Sequence, residues 1–135
     1  MSHRTVGCIA LVVGLLLSAA PVVAHHAFAT EFDAKKPLTK RGIVTKIEWT
    51  NPHVWFYINV KNDAGVIENW AFEMGGPGAL GREGWNRNTL KIGDELMVEG
   101  SMARAGNNRG NARSVTMVKS GQKLGAASSE SGRNP

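Results

Sequence analysis

The chain has 135 residues, with 16 Lys and Arg, 11 Asp and Glu, 4 His and one Cys, and a formal charge of +5. That length gives room for one domain with a sizeable core and not for two. The lone cysteine, Cys8, lies in an apolar leader, so the remainder has no thiol, which excludes disulfides, thiolate zinc sites, cysteine nucleophiles and iron–sulfur clusters.

The leader runs from Val6 to Leu17, preceded by His3 and Arg4 and followed by Ser18, Ala19 and Ala20. This is the order of a secretory signal peptide. A membrane span needs roughly 20 apolar residues, and this run is too short. The expectation is a signal peptide over 1–24, a periplasmic protein, and no membrane span once the leader is removed. Val22-Val23-Ala24 places small residues at the −3 and −1 positions, so cleavage leaves His25 first. Ala27-Phe28-Ala29 offers a second site farther from the apolar run, and cleavage after Ala20 would put Pro21 at the scissile bond.

From His25 the chain reads as an irregular N-terminal arm over 25–40, a β-rich domain over 41–118 and a tail over 119–135. Residues 41–49 alternate, with Ile43, Thr45, Ile47 and Trp49 on one side and Val44, Lys46 and Glu48 on the other. Thr50-Asn51-Pro52 is turn chemistry. A second strand over 53–61 sets Val54, Phe56, Ile58 and Val60 against Trp55, Tyr57 and Asn59. Asn62-Asp63-Ala64-Gly65 makes a hairpin connection. A third strand covers 66–74, with Trp70, Phe72 and Met74 on one face. A short helix is expected over 79–87, a fourth strand over 95–102 and a fifth over 111–118. Five short strands with a helix between the third and fourth predict a mainly β fold, a small OB-like barrel. Closure protects edges that an open sheet would leave exposed. From Ser120 onward Gly, Ser and Ala dominate, and the tail is expected to be disordered. It is also basic: residues 103–135 carry Arg104, Arg109, Arg113, Lys119, Lys123 and Arg133 against Glu130, whereas 25–102 are near charge balance.

Gly76-Pro77-Gly78-Ala79-Leu80-Gly81 fits G-x-G-x-x-G after a strand. A dinucleotide fold also needs a full crossover helix and parallel strands, which a short β-rich chain lacks. The run is therefore read as a lead-in to the short helix.

The histidines carry more chemistry. Cleavage after Ala24 makes His25 N-terminal, and its α-amine and ring nitrogen can chelate one metal ion. A second imidazole opposite completes a T-shaped nitrogen set, which suits copper, since Cu(II) favours tetragonal N and O surroundings. His53, after the turn at Pro52, is the candidate opposing ligand, and His26 a competing or supporting group. Met74, Met97, Met102 and Met117 could assist Cu(I), but at strand spacing most of them read as core.

A different class of function, a protein- or glycan-interaction module, would use Trp55, Tyr57 and Trp70 if they face outward. Nucleic acid is not expected, because the domain lacks a basic groove. No G-x-S-x-G or H-E-x-x-H occurs. Glu31 and Asp33 stand on the arm, and Glu48, Glu68 and Glu73 read as ordinary exposed strand positions. A binding protein is thus expected rather than an enzyme.

The run His25-His26-Ala27-Phe28, then Glu48-Trp49-Thr50-Asn51-Pro52-His53-Val54-Trp55, then Asn69-Trp70-Ala71-Phe72-Glu73, resembles a family of small exported bacterial proteins of unknown function. Leu90-Lys91-Ile92-Gly93-Asp94 and Asn111-Ala112-Arg113-Ser114-Val115 also fit it. The resemblance implies a signal peptide, a periplasmic location and a small β-barrel, and it implies no reaction.

Overall fold

The computed structural model describes residues 26–131. The expected signal peptide, His25 and residues 132–135 lie outside the described residues. Residues 26–31 form a helix, α1. It leads directly into β1 (Phe32–Glu48), followed by β2 (Trp55–Lys61), β3 (Ile67–Glu73), α2 (Pro77–Arg82), β4 (Glu95–Ala103), β5 (Arg109–Met117), β6 (Lys123–Gly125) and a 3-10 turn at Ser129–Ser131.

The strands form one sheet in the order β3-β2-β1-β4-β5-β6, and β3 also pairs with β5. That last pairing is parallel, and the others are antiparallel. The first five strands therefore close into a ring, barrel-like and mainly β, with α2 between β3 and β4 as the alternation predicts. The ring is filled from every strand. Val44, Phe56, Ile58, Phe72, Leu96, Val98 and Val115 are buried inside it, and Leu80 closes it from α2. Phe56 and Phe72 stack at 5.5 Å, and Trp70 stacks on Phe72 at 6.1 Å.

β1 departs from simple alternation. Val44 pairs with Ile58, but Tyr57 pairs with Lys46, so Thr45 is an extra residue. A bulge of this kind shifts the inward phase by one. Val44 is buried, Ile47 packs against the core after the bulge, and Ile43, expected to share a face with Ile47, is exposed. Farther along the ring β4 touches β5 so closely that a Cβ on Gly100 would sit 1.9 Å from the Asn111 carbonyl oxygen.

Three boundaries differ from expectation. The arm is largely strand: β1 begins at Phe32 rather than 41, and a second irregularity between Asp33 and Pro37 lets it pair with β4 on both sides. The helix begins at Pro77, whose fixed φ suits a first helical position. It ends before 87 because Gly84 takes φ +93, a left-handed stop that lets the Trp85 amide donate back to the Leu80 carbonyl. The tail over 119–131 is not disordered. β6 pairs with β5 through Ser114↔Gly125 and Thr116↔Lys123, and Ala126 is fully buried. The Trp85 indole Nε1–H donates to the Gly125 carbonyl at 2.7 Å.

Candidate functional site

Inward packing of Phe56 and Ile58 on β2 and of Trp70 and Phe72 on β3 leaves the alternate residues on the outer surface. There the register sets Trp55 beside Glu73 and Tyr57 beside Ala71. The parallel pairing brings Asn111 of β5 beside Glu73 from the other side. Around Glu73 this outer surface is covered, because two chain segments lie over it.

The first is α1. Phe28 is buried against Phe32 and Ala103, with Trp55 packed on the same cluster. The rings of Phe28 and Phe32 lie 5.6 Å apart. Arg104 ties the helix down, its Nε donating to the Ala29 carbonyl at 2.7 Å and its amide to the Glu31 carbonyl at 2.8 Å. The second is the segment after β6. Glu130 accepts hydrogen bonds from Ser101 Oγ at 3.1 Å and Arg113 Nε at 3.4 Å, which holds Ser128 and Ser129 against the ring.

Between these segments and the sheet lies a pocket of about 160 Å³, bordered by Ala27, Phe28 and Glu31 of α1, by His53, by Glu73 and by Ser129. His53 sits between β1 and β2 and is partly exposed, and its Nδ1 lies 3.8 Å from Glu73 Oε2. Glu73 is only 8% exposed. Its Oε1 accepts from Asn111 Nδ2 at 3.3 Å, and Asn111 Oδ1 in turn accepts from Ser128 Oγ. Burial pushes the Glu73 carboxyl above its ordinary value, and the nearby Glu31 adds to this. His53 chiefly opposes it, helped by Asn111 and Arg109. Arg109 stands over the Trp55 ring at 4.9 Å and 3.9 Å from Glu31. The pocket thus offers a buried acceptor, an imidazole and an apolar wall in one small space.

The candidate residues from the sequence fall in different places. His25 lies outside the described residues and directly precedes α1. His26 is the first helical residue and is exposed, its carbonyl accepting from Thr30 Oγ1 at 2.9 Å. Of the two described histidines, His53 borders the pocket. Among the described residues no group of three or more His, Cys, Asp or Glu side chains is arranged to hold a metal ion. Trp70 is corrected: it is 4% exposed, packed in the core, with its indole N–H donating to Glu68 and Lys40 over its ring at 4.3 Å. Trp55 and Tyr57 do face outward, half-buried. Lys46 lies over Tyr57 at 5.0 Å, and the Tyr57 hydroxyl donates to Glu48 at 2.9 Å.

Glu73 is the residue that sequence reasoning missed. Its alternation with Trp70, Phe72 and Met74 marks it correctly as outward, but outward here means beneath α1. No local signal announces that cover, because its partners Asn111 and Ser128 lie far along the chain. In the glycine run at 76–81 only Gly76 is required by packing: a Cβ on it would meet the Pro52 carbonyl oxygen at 2.7 Å, whereas Gly78 and Gly81 have nothing within 4 Å of theirs.

No curated protein matches the chain. A family model described as a family of unknown function (DUF6152) matches residues 12–113, a span that holds His25, His26, His53, Glu73 and Asn111 and stops before β6.

Proposed function

The chain belongs to DUF6152, a family of unknown function, and from the geometry of this member we propose that it is an exported periplasmic protein that binds one copper ion. The ligands are the α-amine and ring of His25, freed by cleavage after Ala24, and the imidazole of His53, with His26 in support. One observation carries the reading: Ala27 of α1 and His53 border the same pocket. Two peptide units, each about 3.8 Å between Cα atoms, link His25 to Ala27 along the chain. An amine and imidazole pair on one residue, opposed by a second imidazole, is a nitrogen set suited to tetragonal Cu(II). The role is binding rather than turnover.

The alternative, an interaction surface for protein or glycan built on aromatics, has less support. Trp70 is in the core, and the rings of Trp55 and Tyr57 already carry the cations of Arg109 and Lys46.

The test is intact mass of protein recovered from the periplasm, followed by native mass spectrometry with Cu(II) and a competing chelator. The expected result is a chain beginning at His25 that holds one copper, lost in His53→Ala and lost when an extra residue precedes His25. A chain beginning at Thr30, or loose multi-site binding indifferent to His53→Ala, overturns the reading.

A further inference from the structure

We infer that Glu73 is the positioning residue for His53: it fixes the imidazole with its proton on Nδ1 and leaves the Nε2 lone pair free for the ligand. The geometry begins with the backbone. Glu73 is the last residue of β3 and is held in register on both sides, by Trp55 of β2 and by Asn111 of β5. Its carboxylate cannot swing into water, because it is buried and its Oε1 is held by the Asn111 amide, itself held through Ser128. The second oxygen, Oε2, is the one that faces His53, and it faces Nδ1. At 3.8 Å the pair is within ion-pair range, and closing by about 1 Å makes an Nδ1–H···O hydrogen bond of ordinary length. A carboxylate only accepts, so it selects the tautomer in which Nδ1 carries the proton. Nε2 then lies on the opposite edge of the ring with its lone pair available. A carboxylate behind a ligating imidazole typically orients the ring and raises its basicity. In its bearing on metal, the inference rests on the proposed role of His53 as a ligand; in its bearing on the imidazole alone, it does not.

Glu73→Gln tests it, because the amide changes what His53 meets while keeping the shape. The Gln carbonyl takes over the bond from Asn111, and its NH₂ turns toward His53 as a donor. Nδ1 must then accept, and the proton moves to Nε2. Long-range ¹H–¹⁵N NMR of the metal-free protein reads this directly. The wild type is expected to show Nδ1–H and Glu73→Gln to show Nε2–H. Cu(II) affinity is expected to fall by about 10- to 100-fold in the variant. A wild type with the proton on Nε2 overturns the inference without any variant. So does a Glu73→Gln variant that keeps the proton on Nδ1, while a tautomer switch that leaves copper affinity unchanged overturns its bearing on metal. A wild type that binds no copper yet shows Nδ1–H defeats the metal reading and supports Glu73 as the group that sets His53.

Discussion

Phe28→Ala separates the docking of α1 from the stability of the ring. Phe28 belongs to a small cluster with Phe32, Ala103 and Trp55, separate from the main core. A helix as short as 26–31 has no stability of its own, since isolated helices need about 12–15 residues. Its docking therefore depends on Phe28 and on the two bonds from Arg104. Burying a phenylalanine side chain is worth about 1.5–3 kcal/mol, and every 1.4 kcal/mol is about tenfold. The ratio of docked to undocked helix should fall by roughly 10- to 150-fold. Global stability should change far less than the 3–5 kcal/mol typical of a core Phe→Ala truncation. Two measurements check this on the chain beginning at His25. Hydrogen exchange at the Arg104 amide, which donates to the Glu31 carbonyl, should speed up while thermal unfolding of the ring shifts little. Copper affinity should drop by at most the same factor, because binding weakens in proportion to the fraction of competent molecules. An Arg104 amide freed to exchange alongside unchanged copper affinity would refute the idea that α1 carries His25 to His53. Global unfolding as deep as a main-core truncation would refute the separation of the two clusters.

Gly100→Ala forces a Cβ to within 1.9 Å of the Asn111 carbonyl oxygen. Backbone on both sides leaves no flexible atom to yield, so urea unfolding should show a loss at the upper end of the usual 1–3 kcal/mol for overpacking, or beyond it. Glu99 is held below the ordinary carboxylate range by the hydrogen bond from Lys123, then by that from Ser114 and by the Lys123 charge. A depressed acid stabilises the folded chain above its unfolded value, and that contribution fades as pH falls through the folded one. NMR shifts of Lys123 and Leu124 should therefore titrate below the ordinary carboxylate range in the wild type and stay flat in Glu99→Gln. The same titration persisting in Glu99→Gln would assign it to another group.

Strands whose inner face is a run of large apolar residues were legible from sequence. Phe56, Ile58 and Val60 alternate with Tyr57, Asn59 and Lys61, and Leu96 and Val98 are flanked by Glu95 and Glu99, which allows one reading. The first half of β1 was not. Its two buried anchors face opposite ways, Phe32 outward under α1 and Leu38 into the ring, and Lys35, Lys36 and Pro37 between them with the irregularity there break the period. The segment after β6 misled for a different reason. Its Ala and Ser composition resembles a flexible tail, yet the small side chains allow close approach: a Cβ on Gly75 would lie 2.6 Å from the Ala127 Cβ. At the site, His53 was visible because histidine is rare here and follows a turn. Glu73 was not, because its burial is produced by α1 and Ser129 and not by its own strand.

The pocket takes its borders from residues 27–31 at one end of the described chain and from Ser129 at the other. Glu73 is steadied through Asn111 by Ser128, and Ser128 and Ser129 are held down by Glu130. A nascent chain that has released only α1 and the first strands still lacks one wall and the anchor of its acid. The enclosed site therefore forms only after the last described turn has emerged and docked. Formation of the pocket is thereby coupled to synthesis of that turn, and a molecule that lacks it cannot present the finished pocket to a ligand.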